Sequence, residues 1–381
     1  MQTDDPWSAS AATLYDRMRE VLGEGTDAAL ATVVDVEGSA YRRPGAKMLV
    51  TPDGEALGAI TAGCLEGPVV DIAREVLDSG EPHLETFDLT DGDEWGLGLG
   101  CNGVIDVLVE PLDESWEAPL EALDDGRPIA VATAVSSTGS DVSVGARGVV
   151  APDGTVTQAE GRPPVPDDLL ERVDAASFAD EGQSATVAVE TDTGTVEVFV
   201  DGLAPPATLL VYGWQRDVHP VARFAREAGF RVTVASGRGG KANSGDFPNA
   251  DRVVSTRPSE LAEHVETPER TYAVVMSHSF LEDRLALESL LDAGVPYVGL
   301  MGPRKRFEEM REELAADGRT LSEDELSRIA TPVGLDLGGG EPARIALSIV
   351  GEVLAVKHGR SGGRLTDSGE PIHPRVESSQ R

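Results

Sequence analysis

Ala29 to Gly67 reads ALATVVDVEGSAYRRPGAKMLVTPDGEALGAITAGCLEG, and the fold is decided there. Ala29–Val36 is rich in β-branched residues and predicts a buried strand. Lys47–Thr51 predicts a second, with Pro52-Asp53-Gly54 as the turn after it. Gly38-Ser39 and Arg42-Arg43-Pro44-Gly45 therefore fall in the connection between two strands. Beyond Gly63-Cys64-Leu65-Glu66-Gly67-Pro68, the residues Val69, Val70, Ile72, Ala73, Val76 and Leu77 recur at helical spacing, with Pro68 in the first turn. Cys64 thus stands just ahead of a helix N-terminus, where open amide groups and the helix dipole favour a thiolate or another anion. Two readings stand for it: a reactive or ligating thiol, or a small buried residue between close-packing glycines. Arg42 and Arg43 carry guanidinium forks that read phosphate or carboxylate bidentately, or else pair with this chain's many acids.

Working outward, the same pattern returns about one hundred residues later. ALATVVDVEGS is echoed by AVATAVSSTGS from Ala130, PGAKMLVTPDG by VGARGVVAPDG from Val144, and VLVEPL by VFVDGL. A duplicated strand-turn-strand unit follows, with halves at about 11–112 and 116–204. The second copy lacks counterparts of Arg42, Arg43, Cys64 and Cys101, so these residues are less needed as scaffold. Ahead of the first copy, Ala11, Leu14, Tyr15, Met18, Val21 and Leu22 predict a helix capped near Gly23. Gly96 to Gly103, with Gly100 and Cys101, is a glycine loop feeding the strand Val104–Glu110.

Leu203-Ala204-Pro205-Pro206 reads as a domain boundary, giving domains 1–204 and 205–360 and a polar, disordered tail at 361–381. After it, strands and helices alternate, the signature of a parallel sheet. The fold class is therefore α/β: an α+β N-terminal domain with an internal duplication, then a Rossmann-like parallel-sheet domain. Polar residues close several predicted strands, namely Gly213 to Asp217, Ser236-Gly237-Arg238 and Ser277-His278-Ser279, and ligands bind outside such carboxyl ends. The dinucleotide fingerprint fails twice, with Gln215 at its second glycine and Ser236 where a ribose-binding acid belongs. Arg238 leaves a phosphorylated ligand open, and His278 at a strand end leaves open an NADP-dependent oxidoreductase with a histidine acid or base. Pro342–His358 is apolar around most of its circumference and is expected to be largely buried.

The 67 acidic and 32 basic residues give a formal net charge of −35. Such a surface excludes nucleic acid and anionic membrane as partners, and the acid excess along the whole chain reads as adaptation to high salt, a halophilic signature. No signal peptide or membrane-spanning run is legible, and two cysteines fit a reducing compartment, so the expected location is cytoplasmic.

GSAYRRPGAKMLV, GCLEG and GLGCNGVIDVLVEP resemble the N-terminal domain of the XdhC/CoxI family of xanthine dehydrogenase and carbon monoxide dehydrogenase accessory factors. VYGWQRDVHPVARFAREAGFRVTVASGR, MSHSFLEDRLAL, YVGLMGPRKR and PVGLDLGGGEPARIALSIVGEVLA resemble its C-terminal Rossmann domain. The resemblance spans Leu14 to Leu365 and implies a maturation factor rather than a metabolic enzyme. Such a factor binds molybdenum cofactor (molybdopterin) transiently, helps it acquire its terminal sulfur and delivers it to a molybdenum hydroxylase. On this reading Ser39, Arg42, Arg43, Gly63, Cys64, Glu66, Gly100, Cys101, Gly213, Asp217, Arg238 and His278 are the cofactor-binding candidates. Cys64 and Cys101 are the candidates for contact with molybdenum or sulfur. The expected partners are a molybdenum hydroxylase client, a cysteine desulfurase and a second copy of the chain. This sequence departs from the family at Gly213-Trp214-Gln215, where Gly-Ala-Gly is usual, and at Ser236, where an acid is usual.

Overall fold

The computed structural model describes residues 5–89, 103–237 and 243–367, which divide between Pro205 and Pro206 into two compact units. The expected strand-end residue Arg238, the loop residues Gly100 and Cys101, and positions 368–381 of the expected tail lie outside the described residues.

In the first unit, α1 (Ala11–Glu24) is opened by Ser10, whose hydroxyl accepts from the Thr13 amide at 3.2 Å. The helix runs through Gly23 and ends two residues beyond the expected cap, because Gly25 takes the left-handed φ of 63° that terminates it. There follow β1 (Ala29–Gly38), β2 (Lys47–Val50), β3 (Ala56–Gly58), α2 (Glu66–Ser79), β4 (His83–Asp88) and β5 (Gly103–Pro111). They build an antiparallel sheet in the order β3-β2-β1-β5-β4. After α3 (Glu117–Asp124) come β6 (Ile129–Thr138), β7 (Arg147–Val150), β8 (Val156–Gln158), α4 (Asp167–Arg172), α5 (Ala175–Glu181), β9 (Ser184–Glu190) and β10 (Thr195–Leu203). Their sheet has the order β8-β7-β6-β10-β9, the first order advanced by one copy. Even the irregularities repeat. Register slips past Val34 where β1 meets β5, and past Val135, its counterpart, where β6 meets β10.

Alternation sorts each strand's side chains into two sets. Ala29, Ala31, Val33, Met48 and Val107 pack with Val69, Ala73 and Val76 of α2 on one side of the first sheet. Ala130, Ala132, Ala134, Val198 and Val200 pack with Leu169, Leu170, Ala175 and Ala179 on the far side of the second. The inner faces meet through Val34, Leu108, Val135 and Phe199, and through a cluster joining α1, α3, Leu30, Leu49, Val131 and Val149.

The second unit contains β11 (Thr208–Tyr212), α6 (Val218–Glu227), β12 (Arg231–Ser236), β13 (Arg252–Ser255), β14 (Thr271–Val275), α7 (Phe280–Asp292), β15 (Tyr297–Leu300), α8 (Arg304–Ala316), α9 (Glu323–Ser327), β16 (Ile329–Ala330) and α10 (Pro342–Lys357). All strand pairs are parallel, and the order β13-β12-β11-β14-β15-β16 is that of a Rossmann sheet, with the topological switch between β11 and β14. One face is covered by α6 and α10, the other by α7 with Leu261 and Phe307. Contrary to expectation, α10 is buried on one face only, through Ala346, Ile349, Val350 and Val353, while Leu347 is 53% exposed. The helix packs on the sheet and α6 along a single stripe, which its own pattern does not reveal.

Candidate functional site

Each copy of the repeat bends its first two strands back by the same backbone bonds. In the first, Gly45 N donates to Val33 O (2.8 Å), Ala46 N to Arg43 O (3.1 Å) and Val33 N to Ala46 O (2.9 Å). In the second, Gly145 N donates to Ala134 O (2.8 Å), Ala146 N to Ser143 O (3.0 Å) and Ala134 N to Ala146 O (2.9 Å). The turn folds without arginine in the second copy, so Arg42 and Arg43 are not required by it. Both are exposed, and among the described residues neither side chain has a hydrogen bond or ion pair. Ser39 is exposed beside them.

A second candidate segment of the first copy is the loop entering α2. Glu66 accepts from Thr61 N (3.1 Å), Thr61 Oγ1 (2.6 Å) and Leu65 N (3.1 Å), and Thr61 Oγ1 accepts from Gly63 N (3.3 Å). Both Glu66 oxygens are thus engaged in folding the loop that presents Gly63 and Cys64. Gly63 has φ 111° and open space where a side chain would stand. Cys64 is half-buried at the edge of the apolar cluster under α2 and among the described residues forms no disulfide. Gly103 pairs with Gly38, and a Cβ on it would lie 2.7 Å from the carbonyl oxygens of Glu37 and Ser39. That close approach leaves room only for glycine at position 103.

An open groove of about 920 Å³ runs along α2 and β4 from Glu66, past Asp71, Arg74 and Glu75, to His83 and Glu85. Its acids outnumber its bases, and His83 Nε2 is held by Glu85 at 2.8 Å. Phosphate is therefore better served by Arg42 and Arg43 than by this groove.

In the second unit, two residues distant in sequence come together at the switch point. His278 Nε2 lies 2.6 Å from Asp217 Oδ2, with Asp217 opening α6 after β11 and His278 following β14. His278 has φ 61°, a left-handed backbone rare outside glycine. Beneath it, buried Asp283 accepts from Ser277 N (3.1 Å), Ser277 Oγ (2.5 Å) and Arg306 Nη2 (2.6 Å), which pins the segment. Gly213 is set by packing, since a Cβ there would lie 2.9 Å from Met276 O. The Asp217 carboxylate stands where a dinucleotide's pyrophosphate would meet the start of α6, and Ser236 is buried at the end of β12.

Sequence reasoning missed the polar residues between the two sheets of the first unit. Lys47 and Arg147 occupy equivalent positions, and so do Glu110 and Asp201. Lys47 Nζ pairs with Asp201, and Arg147 Nη2 with both Glu110 oxygens (2.5 and 2.6 Å), all four side chains being at most 4% exposed. Trp116 lies under both cations, 5.8 Å from Lys47 Nζ and 5.1 Å from Arg147 Cζ. The signal was available in the repeat itself, as a base and an acid kept in both copies at apolar strand positions.

Comparison with known proteins agrees with this architecture. Residues 209–353 match the XdhC Rossmann domain family, and residues 15–88 match the XdhC and CoxI family. A probable xanthine dehydrogenase subunit of Bacillus subtilis (strain 168) is 27% identical over 344 residues, covering 88% of this chain and 95% of that protein. The molybdenum cofactor insertion chaperone PaoD of Escherichia coli (strain K12) is 22% identical over 341 residues, covering 89% of this chain and 86% of that protein. Among solved structures, a xanthine dehydrogenase from Bacillus halodurans superposes with a TM-score of 0.72 at 25% identity, over 94% of this chain and 98% of that one.

Proposed function

We propose that this chain, which belongs to the XdhC and CoxI family, is a maturation factor that binds molybdenum cofactor and passes it, sulfurated, to a xanthine dehydrogenase-type client. Its similarity to an insertion chaperone over most of both chains supports the maturation role. One observation carries the cofactor site: the two repeats share the same turn, and only the first equips it with Arg42 and Arg43.

In this reading the cofactor is cargo, and it brings an anionic phosphate, a planar pterin and a soft metal centre. Arg42 and Arg43 grip the phosphate with forked, charge-assisted hydrogen bonds, and Ser39 adds a hydroxyl donor. Cys64, presented ahead of α2 by the Thr61–Glu66 clasp, supplies a soft sulfur ligand, and Cys101 is the second candidate by sequence. Within the Rossmann unit, the hydrogen-bonded Asp217–His278 pair is the candidate polar contact.

The test is to purify the chain from cells with active cofactor synthesis and measure bound molybdenum and pterin, together with any copurified hydroxylase. Stoichiometric pterin supports the proposal. A bound nicotinamide would replace it with the oxidoreductase reading, and neither ligand would leave a factor that docks on its client without carrying cofactor.

A further inference from the structure

We infer that Tyr41, backed by Trp7, is a stacking platform for the pterin ring, an inference that rests on the cofactor reading above. Among the described residues Tyr41 is the one aromatic side chain in the set of strongly exposed large apolar residues, 59% exposed in a chain with only 4% aromatics. Trp7 already lies against Tyr41, with ring centroids 6.1 Å apart and planes 29° apart, held by the turn Pro6–Ser8. The Trp7 indole N–H is buried without a hydrogen-bond partner, so this residue serves through its ring face and not its polar edge. One side of Tyr41 is thereby fixed and the rest left open.

The second repeat provides an internal control. Ser140-Asp141-Val142-Ser143-Val144 spans the equivalent turn, one residue shorter; Val142 packs into the local apolar cluster, and the residue left exposed there is aliphatic Val144. The turn therefore folds without an aromatic residue. Tyr41 immediately precedes the two partnerless arginines, so three consecutive exposed residues offer a flat π-face and two anion forks. A ligand with one planar heteroaromatic ring and a phosphate matches that set, as the pterin does.

The experiment uses the full chain and molybdenum cofactor released from a donor molybdoenzyme, with binding read by ultrafiltration and folding by melting temperature. Tyr41→Ala should weaken binding about tenfold or more, as loss of a stacked ring does elsewhere. Tyr41→Phe should stay within about twofold, and Trp7→Leu should fall between them. All three variants should melt with the parent. If the parent binds and Tyr41→Ala binds equally well, the platform is overturned while the cofactor reading stands. If the parent binds no cofactor, both are overturned. Competition by GMP as strong as that by the cofactor would overturn the assignment of the platform to a pterin.

Discussion

Lys47 and Arg147 hold the same position in the two repeats, and each reaches across to the other repeat's acid, Lys47 to Asp201 and Arg147 to Glu110. The duplication is thus closed by a crossed pair of buried ion pairs, with the Trp116 ring under both cations. Ser115 Oγ accepts from Arg147 Nη1 (2.6 Å), Ser184 Oγ donates to Asp201 (2.7 Å), and Gly45 O accepts from Lys47 Nζ (3.1 Å), which satisfies much of the remaining polarity.

Lys47→Met leaves the Asp201 carboxylate buried without its cation, and Arg147→Met leaves Glu110 with only the more distant Arg162, 3.5 Å away. Lys47→Met or Arg147→Met should destabilise the chain by about 3–5 kcal/mol in urea unfolding. Lys47→Met combined with Asp201→Leu should recover the larger part, because an apolar pair replaces the ion pair without stranding a charge. Losses below about 1 kcal/mol for both single variants would show that the crossed pairs are dispensable.

Two buried tyrosines govern the alkaline limit. Tyr15 is pushed above its usual range by burial and then by Asp201, and Tyr297 by burial and then by its hydrogen bond to Glu352 (2.5 Å). The folded chain keeps these protons where the unfolded chain releases them, so their contribution is complete below pH of about 10 and declines as pH rises further. Phenolate absorbance from both should therefore appear together with loss of far-UV dichroism, and Tyr15→Phe with Tyr297→Phe should flatten the decline. Ionisation of both with the dichroism intact would contradict this.

The loop residues divide by role. Cys64→Ser and the double change Arg42→Ala, Arg43→Ala should leave the melting temperature near the parent's, while cofactor retention falls by about 1.5–3 kcal/mol for each charge-assisted hydrogen bond removed. Glu66→Ala should behave differently, lowering stability as well, because it opens the Thr61–Leu65 clasp. Molybdenum content after gel filtration, read beside the melting curves, separates the two patterns. A client matured at the parent's rate by all the loop variants would remove the site from this turn.

NAD should fail to bind the second unit despite its Rossmann strand order, because Asp217 sets a negative charge at the start of α6 and Ser236 replaces the ribose-binding acid. Titration calorimetry should register no saturable heat. Tight one-to-one binding would restore the oxidoreductase reading.

The amino-acid sequence by itself determined the repeat, the parallel-sheet unit and the two loops carrying Arg42 with Arg43 and Cys64, because strand alternation, turn residues and helical spacing are local and survive in one dimension. Only the tertiary structure decided which polar residues serve the scaffold and which are left open. Glu66 reads as a ligand until its carboxylate is seen bound to Thr61 and Leu65, and Lys47 reads only as the start of a strand until Asp201, 154 residues away, is found beside it. Asp217 and His278 meet because β11 and β14 are neighbours in the sheet, and α10 exposes Leu347 because only one of its faces finds a partner. Burial and charge pairing are properties of what lies opposite a residue, and folding brings that neighbour from far along the chain.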